Sequence, residues 1–254
     1  MLGLSLCAGC LDDLDRLEGR PVAGDHDTFP QAGFAASPAA AAVAATTTAP
    51  APAPAAAAAA SAARCPRCGL PLSTAQAPCW ACIKAPPPLS SARVAMPYTP
   101  PYDTLVGRLK HRRQLWVANC LASLVARAAH DAWQQQARPD LLVPIPASQA
   151  SLSRRGFNPA GELCRALGRR LRIPVSHTVL ARTRDGPKQS ELGRLARLVE
   201  SVDLFRATGS LDGLHIGLVD DVMTTGGTLS AATDALLDQG CAQVTVLVAA
   251  RTVR

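Results

Sequence analysis

The sequence predicts an α/β fold, a mostly parallel sheet flanked by helices, preceded by a small cysteine-rich element. Residues 89–254 alternate apolar runs of strand length with runs of helix length, which is the order expected of parallel βαβ units. Residues 64–88 hold two Cys-x-x-Cys pairs and end in three prolines. Alanine and proline dominate much of residues 1–63. We therefore expect three regions, with boundaries after residues 63 and 88.

The first region is expected to be mainly a linker. Its alanines and prolines concentrate between residues 35 and 63, and such a composition cannot bury enough apolar surface to fold alone. Prolines between residues 50 and 54 favour an extended spacer. One Cys-x-x-Cys pair, Cys7 and Cys10, precedes the spacer and has no second pair before it.

The second region predicts a four-cysteine zinc ribbon. Two pairs, separated by ten residues, supply its thiols: Cys65 with Cys68, and Cys79 with Cys82. Each pair can bind one ion from a tight turn, and this spacing lets both pairs meet at one tetrahedral Zn²⁺. Four thiolates leave no open coordination position, so the metal is expected to be structural. A redox dithiol is the alternative for cysteines at this spacing.

The third region is expected to carry three buried strands, with helices between them. The strands are predicted at residues 141–145, 216–219 and 244–249, and the helices at residues 158–170 and 229–239. Asn158 can cap the first of these helices, with Pro159 at its first position. Gly240 is expected to end the second helix.

The string from Asp220 to Thr228 predicts a binding site for ribose 5-phosphate. An apolar strand delivers Asp220 and Asp221, and a Thr/Gly loop then leads into a helix, so the helix start offers unpaired N–H groups to an anion. Gly226 and Gly227 allow close backbone approach. The hydroxyls of Thr224, Thr225 and Thr228 add donors for a phosphate. Adjacent carboxylates would repel that phosphate, but they suit two vicinal sugar hydroxyls.

The same string resembles the signature of type I phosphoribosyltransferases, which bind 5-phosphoribosyl-1-pyrophosphate (PRPP). The chain more closely resembles the ComF family of competence-associated, phosphoribosyltransferase-like proteins. The resemblance extends over residues 64–251 and rests on the cysteine ribbon, on residues 143–146, on residues 154–158 and on residues 220–228. It implies that Asp220 and Asp221 contact the ribose hydroxyls, and that residues 224–228 hold the 5-phosphate.

The resemblance also implies roles for residues outside that string. Residues 182–197, with Lys188 and Gln189, would close over the reacting centre, and Mg²⁺ would accompany PRPP. Prolines remove two amides from the pyrophosphate loop that follows the first strand. The donors expected to replace them are Ser148, Arg154 and Arg155. Thr224 stands where purine-salvage members carry an Asp, which disfavours hypoxanthine or guanine salvage. Cys7 and Cys10 match only the second half of the ribbon of the family.

Two functions remain open at this point. One is transfer of the phosphoribosyl group from PRPP to a nitrogen nucleophile, with release of pyrophosphate. The other is a non-catalytic module in natural competence that senses PRPP or a nucleotide and meets single-stranded DNA or the DNA-uptake machinery. The formal net charge of +7 favours an anionic partner in either case.

A basic run at residues 108–113, beside Trp116, suggests a nucleic-acid contact. The solvated face of an amphipathic helix is the alternative, and the sequence favours it because aromatic residues are scarce. No apolar run reaches the roughly 20 residues needed to span a bilayer, and residues 1–13 do not form a secretion signal. We therefore expect no membrane insertion and a cytoplasmic protein.

Overall fold

A four-stranded parallel sheet forms the centre of the computed structural model, which describes residues 63–73, 78–112, 114–134, 136–183 and 204–253. The strands are β1 (Ser91–Pro97), β2 (Leu141–Pro144), β3 (Leu180–Arg182), β4 (Phe205–Ala207), β5 (His215–Met223) and β6 (Gln243–Arg251). The helices are α1 (Trp80–Lys84), α2 (Tyr102–Arg112), α3 (Val117–Trp133), α4 (Gln149–Arg155), α5 (Pro159–Leu171) and α6 (Gly227–Asp238). The main sheet has the order β1-β6-β5-β2, and β3 pairs with β4 in a separate antiparallel ribbon.

Both faces of the main sheet are covered, as expected when crossover helices join parallel strands. Successive side chains of β6 alternate between the faces. Val246 packs in one apolar cluster with α6, β4 and the cysteine ribbon, whereas Leu247 packs in another with α2, α3 and α5. The predicted α/β class is confirmed, and the apolar runs predicted as strands lie in β2, β5 and β6.

β5 is longer than the sequence predicts. It continues to Met223, because β6 pairs with it along its whole length and matches Asp220 with Val248 and Val222 with Ala250. The two carboxylates therefore lie within the last part of the strand instead of after its end. This placement fixes their backbone by sheet hydrogen bonds.

The start of α5 is tied to the end of β2. The Asn158 side chain accepts a hydrogen bond from the Ala160 N–H at 3.2 Å, which caps the helix, and Pro159 occupies its first turn as predicted. The Asn158 amide also donates to the Ile145 carbonyl at 2.8 Å. Just beyond the end of α6, Gly240 adopts φ +95°, in agreement with the predicted stop.

The cysteine ribbon packs directly against β1. Gly69 adopts φ +69°, and a Cβ at this position would collide with the Cγ2 atom of Val94. The Ala92 N–H donates to the Pro66 carbonyl at 3.2 Å. All four ribbon cysteines belong to the same buried cluster as Val94. The proposed domain boundaries at residues 63 and 88 remain predictions.

None of the helices in the described ranges is long and apolar enough to cross a membrane. The longest, α3, has 17 residues. Its buried side chains pack into the core beneath the sheet. Burial in this core therefore accounts for the apolar face of α3.

Candidate functional site

Four thiols converge at the predicted metal site. The sulfur atoms of Cys65, Cys68, Cys79 and Cys82 lie within 4.8 Å of one another, and all four residues are buried. The Sγ atoms of Cys68 and Cys79 are 3.6 Å apart. In a tetrahedral Zn²⁺ site with bonds of about 2.3 Å, neighbouring sulfurs lie about 3.8 Å apart. The geometry of the four residues therefore fits one metal ion, as the Cys-x-x-Cys spacing predicts.

Local backbone structure prepares these thiols for a cation. The Cys79 N–H donates to Cys65 Sγ at 3.3 Å. Burial alone raises the pKa of Cys65, but backbone hydrogen bonds outweigh it and lower that pKa to about 7. Burial raises the pKa of Cys68 and of Cys82. The pKa values of these three thiols therefore shift in different directions, and a bound cation would favour the thiolate form of each.

The two carboxylates at the end of β5 differ in their partners. Asp221 is 7% exposed, and its Oδ1 atom lies 2.9 Å from the Lys110 ammonium. Asp220 is partly buried, and its Oδ1 atom accepts a hydrogen bond from the Asp221 N–H at 2.8 Å. Lys110 lies on α2, so a helix far away in the chain supplies the cation for the carboxylate pair.

The pKa of Asp220 is raised well above its ordinary value. Burial is the largest cause and the charge of Asp221 is the second, while the hydrogen bond from the Asp221 N–H and the charge of Lys110 act in the opposite direction. A second carboxylate beside Asp220 disfavours the ionised form of Asp220. Hydroxyl donors or a metal ion facing Asp220 would favour its ionised form.

The loop after β5 presents donors towards solvent. Thr224, Thr225 and Thr228 are exposed, and Gly226 adopts φ +90° as the residue before α6. Gly226, the N-cap residue of α6, has no side chain that could accept a hydrogen bond from the first-turn amides. These amides and the positive end of the helix dipole form an anion-binding feature. Asp220, Asp221 and the loop are thus contiguous, as the motif predicts.

The loop after β2 lies beside Asp220. The Ile145 N–H donates to the Val219 carbonyl at 2.9 Å, which places the following residues at the same sheet edge. Ser148 caps α4, because its Oγ atom accepts from the Ser151 N–H at 3.2 Å and donates to Ser151 Oγ at 2.9 Å. Arg154 is exposed, and the Nε atom of Arg155 is buried with no partner among the described residues. Their contact with pyrophosphate stays a prediction. Lys188 and Gln189 lie outside the described residues.

Two basic residues near the site were missed from the sequence. Lys110 belongs to the basic run that was interpreted as a solvated face or a nucleic-acid contact, yet it is only 20% exposed and pairs with Asp221. Arg251, at the end of β6, is 7% exposed and belongs to none of the sequence motifs described above. Two apolar residues near Lys110 on the same helix, Val106 and Leu109, are buried. Their helical spacing was the signal that could have placed Lys110 next to the core.

Comparisons with known proteins agree with this geometry. A family model described as the phosphoribosyl transferase domain matches residues 119–252. The chain is 34% identical to the DNA utilization protein YhgH of Escherichia coli K12 over 190 residues, which cover 74% of this chain and 84% of YhgH. It is 30% identical to competence protein F of Haemophilus influenzae over 187 residues, with coverages of 72% and 82%.

A third relative extends the comparison beyond these two organisms. Competence protein ComFC of Bacillus subtilis is 31% identical over 185 residues, which cover 69% of this chain and 72% of ComFC. The matched length in each relative exceeds two thirds, so the similarity covers most of each protein. The chain belongs to the ComF family of proteins with a phosphoribosyltransferase domain.

Proposed function

We propose that the protein binds PRPP and transfers its phosphoribosyl group to a nitrogen nucleophile. The observation that carries the proposal is the continuity of Asp220 and Asp221 with the uncapped start of α6. A phosphate at the helix start and two acceptors one loop away match the two ends of ribose 5-phosphate. The Lys110 ammonium lies 2.9 Å from Asp221 Oδ1 and places a positive charge beside one of the two acceptors proposed for the sugar hydroxyls.

In the proposed reaction the nitrogen lone pair forms a bond to C1 of the ribose. The bond from C1 to the pyrophosphate oxygen breaks, and its electron pair leaves with pyrophosphate, while the nitrogen proton passes to solvent. Asp220 and Asp221 orient the ribose, and the 224–228 loop fixes its 5-phosphate. Arg154 and Arg155 are the proposed donors to pyrophosphate, together with Ser148. Mg²⁺, when bound with PRPP, would neutralise charge on the phosphates.

The remaining roles rest on the family resemblance for Lys188 and Gln189, and on the cysteine cluster for the metal. We propose that Lys188 and Gln189 belong to a segment that excludes water from the reacting centre. The four cysteines are proposed to hold a structural Zn²⁺, since their closed set leaves no position for substrate. No disulfide joins any two of the seven cysteines among the described residues. That state is typical of a reducing compartment, which supports the proposed cytoplasmic location.

Calorimetry with PRPP, ribose 5-phosphate and inorganic phosphate, each with Mg²⁺, tests the proposal. Asp220→Asn and Thr228→Val should each weaken ribose 5-phosphate binding roughly tenfold, because a hydrogen bond to a charged group contributes about 1.5 to 3 kcal/mol. Inorganic phosphate separates the two changes. Thr228→Val should weaken its binding, whereas Asp220→Asn should leave it unchanged or improve it.

Thr208→Val is the matched control, because Thr208 is an exposed threonine outside the loop. It should bind every ligand as the unaltered protein does. Folded protein that binds neither PRPP nor ribose 5-phosphate at millimolar concentration would refute the proposed function. If the protein binds PRPP but releases no pyrophosphate with any of a panel of nitrogen nucleophiles, the proposed function is limited to PRPP sensing.

An exposed aromatic side chain supports single-stranded DNA binding as a second candidate function. Trp80 on α1 of the cysteine ribbon is 69% exposed, and the Lys84 ammonium lies 4.9 Å from the centre of its ring. Such a pair can stack a base and contact a phosphate. Two relatives are named as competence proteins and one as a DNA utilization protein, which supports a connection with DNA uptake.

Fluorescence anisotropy of a labelled oligonucleotide tests this second candidate. Trp80→Ala should weaken binding by about 1 to 3 kcal/mol, the usual contribution of one stacked base, and affinity should fall with added salt. Trp133→Phe, on the other side of the sheet, is the control. Arg113, part of the basic run proposed for DNA contact, lies outside the described residues, as does the side chain of Arg112. Equal affinity of Trp80→Ala and the unaltered protein would exclude the ribbon as the contact.

A further inference from the structure

The arginine that ends β6, Arg251, is buried beside the cysteine ribbon. It is 7% exposed, and its Nε and Nη1 atoms are buried with no hydrogen-bond partner among the described residues. Arg251 lines one cleft together with Cys68 and Cys82 of the ribbon. A guanidinium stays charged in proteins, and a buried charge without an anionic partner is costly. An anion close to Arg251 would therefore stabilise the folded protein.

A second arginine adds positive charge at the same place. Arg64 directly precedes Cys65 and is partly buried. Its pKa is lowered, first by burial and then by the charge of Arg251, so the two guanidinium groups lie close enough to repel each other. The Arg64 Nη1 atom donates to the Gly69 carbonyl at 3.2 Å, but this acceptor carries no net charge. Two like charges at one place are stabilised by an anion that both can approach.

Carboxylates do not supply that anion within the part of the chain that the structure describes. No Asp or Glu lines the cleft, and residues 64–88 contain none in the sequence. The ion pairs found within the described ranges join Lys110 to Asp221 and Arg165 to Glu162, so they involve neither arginine. The cysteine thiols are thus the side chains of the ribbon that can become anionic.

The four thiols become anionic when they bind a metal ion. Their sulfur atoms lie within 4.8 Å of one another, which fits one Zn²⁺. Four thiolates around Zn²⁺ carry a net charge of about −2. All four cysteines are buried, so water can offset little of this charge. Two guanidinium groups beside the cluster would balance it.

A substrate phosphate at the start of α6 would also attract Arg251, because Gly226 and Gly227 line the same cleft. Such a ligand leaves after each reaction, whereas a structural metal stays with its thiolates. The buried charge of Arg251 needs a partner in the ligand-free protein as well. This requirement favours the thiolates as the partner.

We propose that Arg251, together with Arg64, neutralises the zinc-thiolate centre and thereby raises the affinity of the ribbon for Zn²⁺. Arg251 is a positioning residue in this proposal, because it acts through the thiolates and does not bind the metal itself. The sheet fixes its backbone, since the Tyr98 N–H donates to the Arg251 carbonyl at 2.7 Å. The ribbon metal is thus linked to the end of the main sheet. The inference rests on the zinc site of the proposed function.

Competition with a chromophoric zinc chelator, on full-length protein at fixed pH and ionic strength, tests the proposal. Arg251→Met should weaken zinc affinity roughly 10- to 100-fold, which is the usual effect of losing a group that supports metal ligands. Arg251→Lys keeps the charge and should restore most of the affinity, and Arg64→Met should also weaken zinc binding. Arg67→Met is the matched control. It removes an exposed arginine from the same ribbon and should change zinc affinity by less than about threefold.

Calorimetry with ribose 5-phosphate separates this role from contact with the substrate. Arg251→Met, with enough zinc present to keep the ribbon filled, should bind ribose 5-phosphate as the unaltered protein does. Loss of ribose 5-phosphate affinity with unchanged zinc affinity would assign Arg251 to the phosphoribosyl site and overturn the proposal. Unaltered protein that does not bind ribose 5-phosphate would refute the proposed reaction, and the zinc comparison then decides the role of Arg251 alone.

A second variant protects the test if Arg251→Met does not fold. Arg251→Gln removes the charge but keeps a hydrogen-bond donor, and in folded protein it should show a similar loss of zinc affinity. Equal zinc affinity of Arg251→Gln and the unaltered protein would overturn the proposal. Unaltered protein that binds no zinc would remove the metal site and this inference with it. Protein that binds zinc equally well in every Arg251 variant would overturn the inference alone.

Discussion

Replacing Lys110 by Met removes the ammonium that lies 2.9 Å from Asp221 Oδ1 and keeps an apolar stem of similar length. Asp221 is 7% exposed, and its neighbour Asp220 already has a raised pKa because of burial and the charge of Asp221. Without Lys110 the pair has lost its closest cation. The folded state must then keep a buried carboxylate without that cation.

The size of the effect follows from the burial of the two partners. Removing one member of a buried ion pair costs about 3 to 5 kcal/mol. Lys110 retains 20% exposure, so solvent screens part of the interaction, and we expect a loss near 3 kcal/mol at the low end of that range. For a chain of this size the melting temperature should fall by about 6 to 12 °C.

A double-mutant cycle isolates the pair. Urea denaturation would give the free energies of unfolding of Lys110→Met, Asp221→Asn and the double variant. In the double variant neither charge of the pair remains without its partner. The decrease in its free energy of unfolding should therefore be smaller than the sum of the two single decreases by about 1.5 to 3 kcal/mol. Arg108→Met, on the exposed face of the same helix, should change stability by less than about 0.5 kcal/mol. Additive losses within about 0.5 kcal/mol would refute the pairing.

Three other measurements address separate parts of the molecule. Because the folded pKa of Asp220 is raised, stability should fall as pH increases from its unfolded pKa, about 3.9, towards the folded value, and Asp220→Asn should flatten that slope in melts across pH. Metal analysis should find about one Zn²⁺ per chain, lost in Cys68→Ser and kept in Cys164→Ser, and protein purified without metal would contradict the ribbon assignment. Gly69→Ala should lower the free energy of unfolding by about 2 to 4 kcal/mol, because of the φ of +69° and the collision with Val94. Gly213→Ala, at φ +73° in open space, should lower it by only about 1 to 2 kcal/mol. Equal losses in the two variants would exclude the packing contact.

Local patterns predicted most of the fold. Cys-x-x-Cys spacing sets which thiols can share a metal, and short apolar runs mark strands that are buried on both faces, so the ribbon and the strands of the sheet were predictable. The Asn158 cap and the Gly240 stop depend on neighbouring residues only, and both occur. The end of β5 was missed because its pairing with β6 decides where it stops.

The charges around the site could not be predicted because their partners are distant in the chain. Lys110 precedes Asp221 by more than a hundred residues, and the sequence shows only a basic run on a helix. Arg251 meets the ribbon only because β6 lies beside β1, on which the ribbon packs. The carboxylates and the Thr/Gly loop were predicted because they are contiguous.

The contact between Pro66 and Ala92 attaches the cysteine ribbon to β1. β1 is an edge strand, and an edge with free N–H and C=O groups is a template for association with other chains. The ribbon lies along this edge and occupies one of its donors. Loss of the proposed Zn²⁺ would loosen that cover and expose the strand, so we expect protein produced without zinc to aggregate and to give a reduced yield. The ribbon thus covers part of a strand edge that would otherwise be open to association with other chains.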